Sequence, residues 1–142
     1  MPRQENIDLL QRASLRFKVR DLDGYLQMYS NSVIHHGFSS RIRPGVPGLR
    51  DHYTRLLNGF PDMRVEINDI LADGEKLAHR FTFYGTHKGE FLGVPATGKL
   101  VTAAGIHIQL FEAGQCIEVW QVLDTFSFLS QMGAVPQLRE RR

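Results

Sequence analysis

His107 and Gln121 are the two side chains of this 142-residue chain whose types and surroundings best suit chemistry. Val101, Ala103, Gly105, His107, Gln109 and Phe111 share one side of an alternating segment, and Ile117, Val119, Gln121 and Leu123 share one side of the next. Each row is small or apolar with isolated polar groups, as in a ligand pocket. An imidazole titrates near neutrality and serves as general acid or base, and a partly apolar wall holds it neutral. A glutamine amide is no base, but it can donate to an oxygen on which charge develops or accept from a hydroxyl. The alternatives are an interior histidine satisfied by its neighbours and an amide that does no chemistry.

Whether the two share a space depends on the intervening loop. A two-residue type I′ turn at Ala113-Gly114 requires positive φ at Ala113, whose Cβ resists it. A three-residue loop, Glu112-Ala113-Gly114, avoids that strain and pairs His107 with Val119 and Gly105 with Gln121. The two polar residues then become diagonal neighbours with Cα atoms about 7–8 Å apart, a gap that a substrate oxygen or a water would bridge.

Other candidates carry less. Asp124 precedes Thr125-Phe126-Ser127-Phe128-Leu129 and is expected to cap a helix. Adjacent strand residues point oppositely, so one of His35 and His36 faces inward. His35, His36, His79, His87 and His107 lack the His-x-His or His-x-x-x-His spacing that concentrates metal ligands. Tyr53, Phe60, Phe83, Phe91, Leu92 and Gln109 are the expected substrate-binding walls, with plain core packing as the alternative for the aromatics. Arg80 is expected to form an ion pair on a solvated face, with pairing to Glu66 across the sheet or to a partner subunit as the alternatives. Gly93-Val94-Pro95-Ala96-Thr97-Gly98 lacks the Gly-Lys-Ser/Thr ending of a phosphate loop, so the Gly85 to Lys99 segment is expected to shape a cavity rim.

The elements that must position these residues follow from periodicity. Ile7, Leu10, Ser14 and Phe17 recur at helical spacing. Leu22, Tyr25, Leu26 and Tyr29 do so after an Asp21 cap, and Leu49, Tyr53, Leu56 and Phe60 follow Pro44-Gly45 with Pro47 in a first turn. Beyond Pro61, Met63, Val65 and Ile67 alternate with polar residues, and Asp73-Gly74 supplies a hairpin turn. Leu77 to Tyr84, Leu100 to Phe111 and Ile117 to Leu123 predict further strands, and Phe126, Leu129 and Met132 a closing helix. The predicted class is α+β: a curved antiparallel sheet forming a cone, with the N-terminal helices packed across its concave face.

Composition bounds the rest. The length fits a single domain over residues 1–142, with about ten frayed residues at the C-terminus. Seventeen basic against fifteen acidic residues give +2, and the one basic cluster, Arg139-Glu140-Arg141-Arg142, lies in that tail, so no nucleic-acid partner is expected. A lone cysteine excludes an internal disulfide, and no run approaches the roughly 20 apolar residues of a membrane span. Without a signal-like N-terminus, cytoplasmic residence with no membrane partner is the expectation.

The succession Gly85-Thr86-His87-x-Gly89-Glu90-Phe91-x-Gly93-Val94-Pro95-x-Thr97-Gly98-Lys99, Gly105-Ile106-His107 and Trp120-Gln121-x-x-Asp124 resembles the SnoaL-like polyketide cyclase signature. Proteins of that family have the nuclear-transport-factor-2-like superfold. The resemblance runs from His36 through Asp124. It implies a cofactor-free, metal-free pocket for a hydrophobic carbonyl compound, and a homodimer through the outer sheet face, for which Ile106, Ile108 and Trp120 are suited. It also implies an Asp base where this chain has Gln121, a second acid at Asp124, and a cavity-facing histidine at His36. The first expectation is thus a cyclase or isomerase acting by proton transfer on a hydrophobic carbonyl-bearing metabolite, a polyketide among the options, with His107 shuttling the proton, Gln121 holding the oxygen on which charge develops and His36 as a further catalytic candidate. A binding or accessory protein that lost the base is the second. Epoxide hydrolysis would need paired carboxylates around an arginine, which the sequence does not cluster.

Overall fold

The chain changes period at Pro61, and its architecture changes there too. The computed structural model describes residues 2–39 and 41–134. Helices α1 (Pro2–Lys18) and α2 (Leu22–Leu26), strand β1 (Tyr29–His36) and helix α3 (Gly45–Gly59) come first. Strands β2 (Arg64–Asp73), β3 (Lys76–Thr86), β4 (Leu100–Glu112) and β5 (Gln115–Leu123) follow, and helix α4 (Thr125–Gln131) ends the described chain. The expected frayed tail and its basic cluster lie outside the described residues.

Helices α2 and α4 start at side-chain caps, whereas α3 starts after Pro44 without one. Asp21 accepts from the Gly24 amide at 2.9 Å, and Asp124 accepts from the Ser127 amide at 3.1 Å. α4 turns Phe128 and Met132 inward and leaves Phe126 outside.

The fold is α+β, and the sheet is open, in the order β1-β5-β4-β3-β2. β2 to β5 form the expected antiparallel meander, whereas β1 joins β5 in parallel, so the sheet is mixed. A parallel pair needs a long crossover; here the whole span from α3 to β4 separates the two strands. Helix α1 packs on β2 and β3, α3 on β1 and α4 on β4. Leu10, Phe17, Leu49 and Tyr53 thereby meet Val33, Leu77, Phe83 and Val119 in one core.

Two register shifts redirect side chains. Asn68 is an extra residue in β2, so Arg80 stands opposite Asp69, while Glu66 pairs with Arg64 at 3.6 Å instead of with Arg80. Ile117 is an extra residue in β5, since Leu110 faces Glu118 but Phe111 faces Cys116. Cys116, not Ile117, therefore takes the buried place beside Val119.

Candidate active site

A cavity of about 770 Å3 lies between the helices and the inner sheet face, within the size range of small-molecule sites. Its walls are mostly apolar: Leu10 and Phe17 from α1, Leu56 from α3, Ile67 and Ile70 from β2, Phe81 and Phe83 from β3, and Phe128 from α4. Lys18, Arg20, Asp62, Arg64 and Glu66 form a charged stretch of the lining. Arg20 is committed to the carbonyls of Pro61 and Met63, at 3.2 and 2.6 Å.

Four further lining residues, His52, His79, His107 and Gln121, give the cavity its chemistry. His107 and Gln121 are directly cross-strand, and the imidazole Nε2 lies 2.8 Å from the amide Oε1. The register expectation is corrected here. The β4–β5 hairpin does close with a two-residue turn, Ala113 taking φ 51 and Gly114 φ 78. By itself that turn would set Trp120 opposite His107. The extra residue at Ile117 adds one step to β5 and brings Gln121 there instead. The gap expected to hold a substrate oxygen is closed by a direct hydrogen bond.

That bond fixes roles. The amide oxygen can only accept, so neutral His107 carries its proton on Nε2 and keeps a lone pair on Nδ1. The Gln121 NH2 group remains free to donate. Burial pushes the His107 pKa down to about 4, partly opposed by the bond to Gln121. Burial, then the neighbouring His107, takes His79 to about 3. His52 falls to about 4 through burial first, with lesser effects of His107, Arg55 and His35. All three rings are neutral at pH 7.

The rings sit in an aromatic box. His79 faces His107 across the β3–β4 rung, ring centroids 4.9 Å apart in a T arrangement, and Phe81 meets His107 at the same separation. Phe38 bridges His52 and His107, at 5.0 and 5.9 Å. Gly105 makes room for this packing: a Cβ there would lie 2.3 Å from the Phe81 ring. Gly37, at φ +82, lets the chain leave β1 against the Gln121 carbonyl, which a Cβ would strike at 1.8 Å. Next to the histidines, the Tyr25 hydroxyl joins those of Tyr29 and Tyr53, at 3.2 and 3.1 Å, and burial raises all three pKa values well above the usual tyrosine range.

Other expected site residues are placed elsewhere. His36 points to the outer face, stacks on Trp120 and bonds Glu118 at 2.7 Å, because the register of β1 turns Val33 inward and sets His36 opposite Trp120. His35 bonds the Arg43 carbonyl. Tyr53 and Phe83 line the cavity, but Phe60, Phe91, Leu92 and Gln109 do not. Phe60 and Phe91 pack with Phe128 one layer behind the wall. Leu92 is 63% exposed at φ 51, and Gln109 is wholly buried beside Met28. The Gly85 to Lys99 segment lines no part of the cavity: it buries His87 and Phe91 and leaves its stretch from Pro95 to Lys99 exposed, with His87 Nδ1 bonded to Thr97 Oγ1 at 3.0 Å. Asp124 is a helix cap.

Sequence reasoning missed His52 and gave His79 no place in the pocket. The signal existed for His79, which alternates with Leu77, Phe81 and Phe83 as the lone polar member of an inward row. His52 lies one turn beyond Leu49 on the apolar side of α3. Among the described residues, no three His, Cys, Asp or Glu side chains are grouped to hold a metal ion. None of their helices is long and apolar enough to cross a membrane.

The sequence profile of the SnoaL-like polyketide cyclases matches residues 8–132. The chain belongs to this family. Among solved structures, AclR of Streptomyces galilaeus, provisionally described as a hydroxylase, is 27% identical with a TM-score of 0.84, over 94% of this chain and 99% of AclR. A SnoaL-like polyketide cyclase of Agrobacterium tumefaciens is 27% identical, TM-score 0.74, over 90% and 98% of the respective chains. IdmH of Streptomyces antibioticus, provisionally described as a polyketide cyclase, is 25% identical, TM-score 0.77, also over 90% and 98%. No curated protein sequence matches the chain significantly.

Proposed function

We propose that this SnoaL-like protein is a cofactor-free enzyme of cyclase or isomerase type that moves a proton on a hydrophobic, carbonyl-bearing small molecule. The observation that carries this reading is the His107–Gln121 pair, placed on the wall of a largely apolar cavity. Nδ1 of His107 is the proton acceptor, and the free amide N–H of Gln121 stabilises the enolate oxygen that develops as the proton leaves. Burial strengthens those hydrogen bonds relative to water. The cyclase descriptions of the family and of IdmH agree with carbonyl chemistry. An imidazole of pKa about 4 is a weak base, so the substrate needs an α-hydrogen that its own structure makes acidic.

Deuterium exchange tests this. 2-Tetralone has an α-hydrogen acidified by both ring and carbonyl, and it fits the cavity's chemistry. Incubated with the protein in D2O at pH 7 and followed by NMR, it should exchange faster by about 10² or more. His107→Phe should abolish the enhancement. Equal exchange with and without protein would remove the catalytic reading.

The second reading is a binding protein that keeps the cavity without turnover. Gln121, an amide where the family uses an Asp base, favours it. The outer sheet face supports a homodimer under either reading: Ile106, Ile108 and Val122 expose 48%, 43% and 73% of their surface around Trp120.

A further inference from the structure

His79 has the most unmet hydrogen-bonding capacity in the cavity wall. The residue is 6% exposed, and its Nδ1 is sealed without any partner. Nε2 makes no hydrogen bond to the described protein, although the residue lines the cavity. Buried N–H groups are orphaned less often than acceptors. The favoured tautomer therefore leaves the bare nitrogen in the wall and directs an Nε2–H donor at the cavity. His79 occupies the rung next to His107, and that rung in turn faces Gln121. Two donors, Gln121 NH2 and His79 Nε2–H, thus flank one acceptor, His107 Nδ1.

We propose that His79 is a ligand-contacting, specificity-determining residue that donates to a second oxygen on the ligand, so that the site selects uncharged 1,3-dioxygenated compounds over simple ketones. This deepens the proposed function and rests on it only in taking the cavity to bind carbonyl compounds. A second consideration agrees where His107 acts as the base. Between two carbonyls an α-hydrogen is far more acidic than beside one, which suits a base as weak as the buried His107. The cluster is also unsuited to an anion. Among the described residues no carboxylate is paired with His52, His79 or His107; the charged residues lining the cavity are Arg64 and Glu66, paired with each other on β2, Lys18 on α1, and Arg20 and Asp62 in adjoining loops, and Arg55 on α3 is near enough to His52 to lower its pKa further. Arg20 is held by backbone carbonyls and Asp62 by Thr86.

The test compares two probes of one carbon skeleton, 1-(2-naphthyl)butane-1,3-dione and 1-(2-naphthyl)butan-1-one, by calorimetric titration at pH 7. The wild-type protein should prefer the dione by about tenfold, the effect of one hydrogen bond. In His79→Phe, which keeps the aromatic contact with His107, the ratio of the two affinities should fall to within about twofold. His79→Gln, which restores a donor, should recover part of the preference. A wild-type protein without preference, or a preference that survives in His79→Phe, overturns the proposal. If His79→Phe fails to fold, His79→Leu is measured in its place with the same criteria. Failure of both probes to bind the wild type overturns this proposal together with the carbonyl-binding reading. Dione preference without 2-tetralone exchange removes catalysis alone and leaves the role of His79 standing.

Discussion

The imidazole of His107 and the amide of Gln121 meet at 2.8 Å on one rung of the sheet because β5 carries one more residue than its turn requires. Replacing the amide by a carboxylate would change the chemistry more than the shape. In Gln121→Asp a negative charge faces Nε2 inside a buried site, and an opposite charge at that range favours imidazolium by roughly 1–3 pKa units. The His107 pKa should move up from about 4 towards neutrality, as read by an NMR titration of the ring carbons. The carboxylate and the imidazole will titrate as a pair. Appearance of 2-tetralone exchange only in this variant would show that the natural chain binds without turning over.

Acid should unfold this protein through its cavity. Burial holds His107 and His52 near 4 and His79 near 3, all below the ordinary 6.5. A histidine with a depressed folded pKa is neutral in the native state while the unfolded chain takes up the proton. Its contribution is therefore complete above pH 6.5 and is lost as pH falls towards 4. For His107 alone the loss is on the order of 3 kcal/mol, a large part of the roughly 5–15 kcal/mol that holds a domain together. Thermal midpoints should fall steeply between pH 6.5 and 4, and less steeply in His79→Phe. A flat profile over that range would contradict the burial of these rings.

Ala113 occupies the left-handed region at φ 51, which costs an L-residue about 1–2 kcal/mol. Glycine at this position removes the Cβ conflict at some cost in unfolded-state entropy. Ala113→Gly should gain about 0.5–1 kcal/mol in urea unfolding and leave His107 chemical shifts unchanged. Loss of stability would mean that the Ala113 conformation is supported by contacts other than the turn itself.

This turn also shows how far the sequence could be read. Apolar spacing located the four helices of the described residues, although Tyr29 opens β1 instead of extending α2, and the Asp21 and Asp124 caps were legible because a capping side chain acts within three residues. The inward row of β4 was legible because alternation is local, and its burial follows that row from Val101 to Phe111. Pairing was not legible. The strain at Ala113 argued for a longer loop, but the hairpin accepts it and inserts Ile117 instead, a choice made by packing Cys116 and Val119 into the core. Parity placed one of His35 and His36 inward, but not which, and the register of β1, which sets His36 beside the outward Trp120, turned His36 out. His52 and His79 became part of the site only through tertiary convergence.

Gly105 sets the depth of the cavity. Its missing Cβ is the space occupied by the Phe81 ring, which in turn supports His107 at 4.9 Å. Gly105→Ala should drive that ring into the cavity, with overpacking costing about 1–3 kcal/mol. Affinity for the naphthyl probes should drop with stability. Calorimetry showing full affinity in the variant would place the ligand away from the Phe81 wall.

The proposed homodimer would form through the outer sheet face. Ile106 stands opposite Val122 and Ile108 opposite Trp120, so the four side chains form one patch with His36 stacked at its edge. A charge at its centre must be desolvated on association without a partner, at a cost of several kcal/mol. Ile108→Glu should therefore convert a dimer to a monomer in analytical ultracentrifugation at micromolar concentration. Far-ultraviolet circular dichroism should stay unchanged, because residue 108 points away from the core. If the wild type sediments as a monomer, the patch does not join two copies of this chain, and the dimer proposal fails.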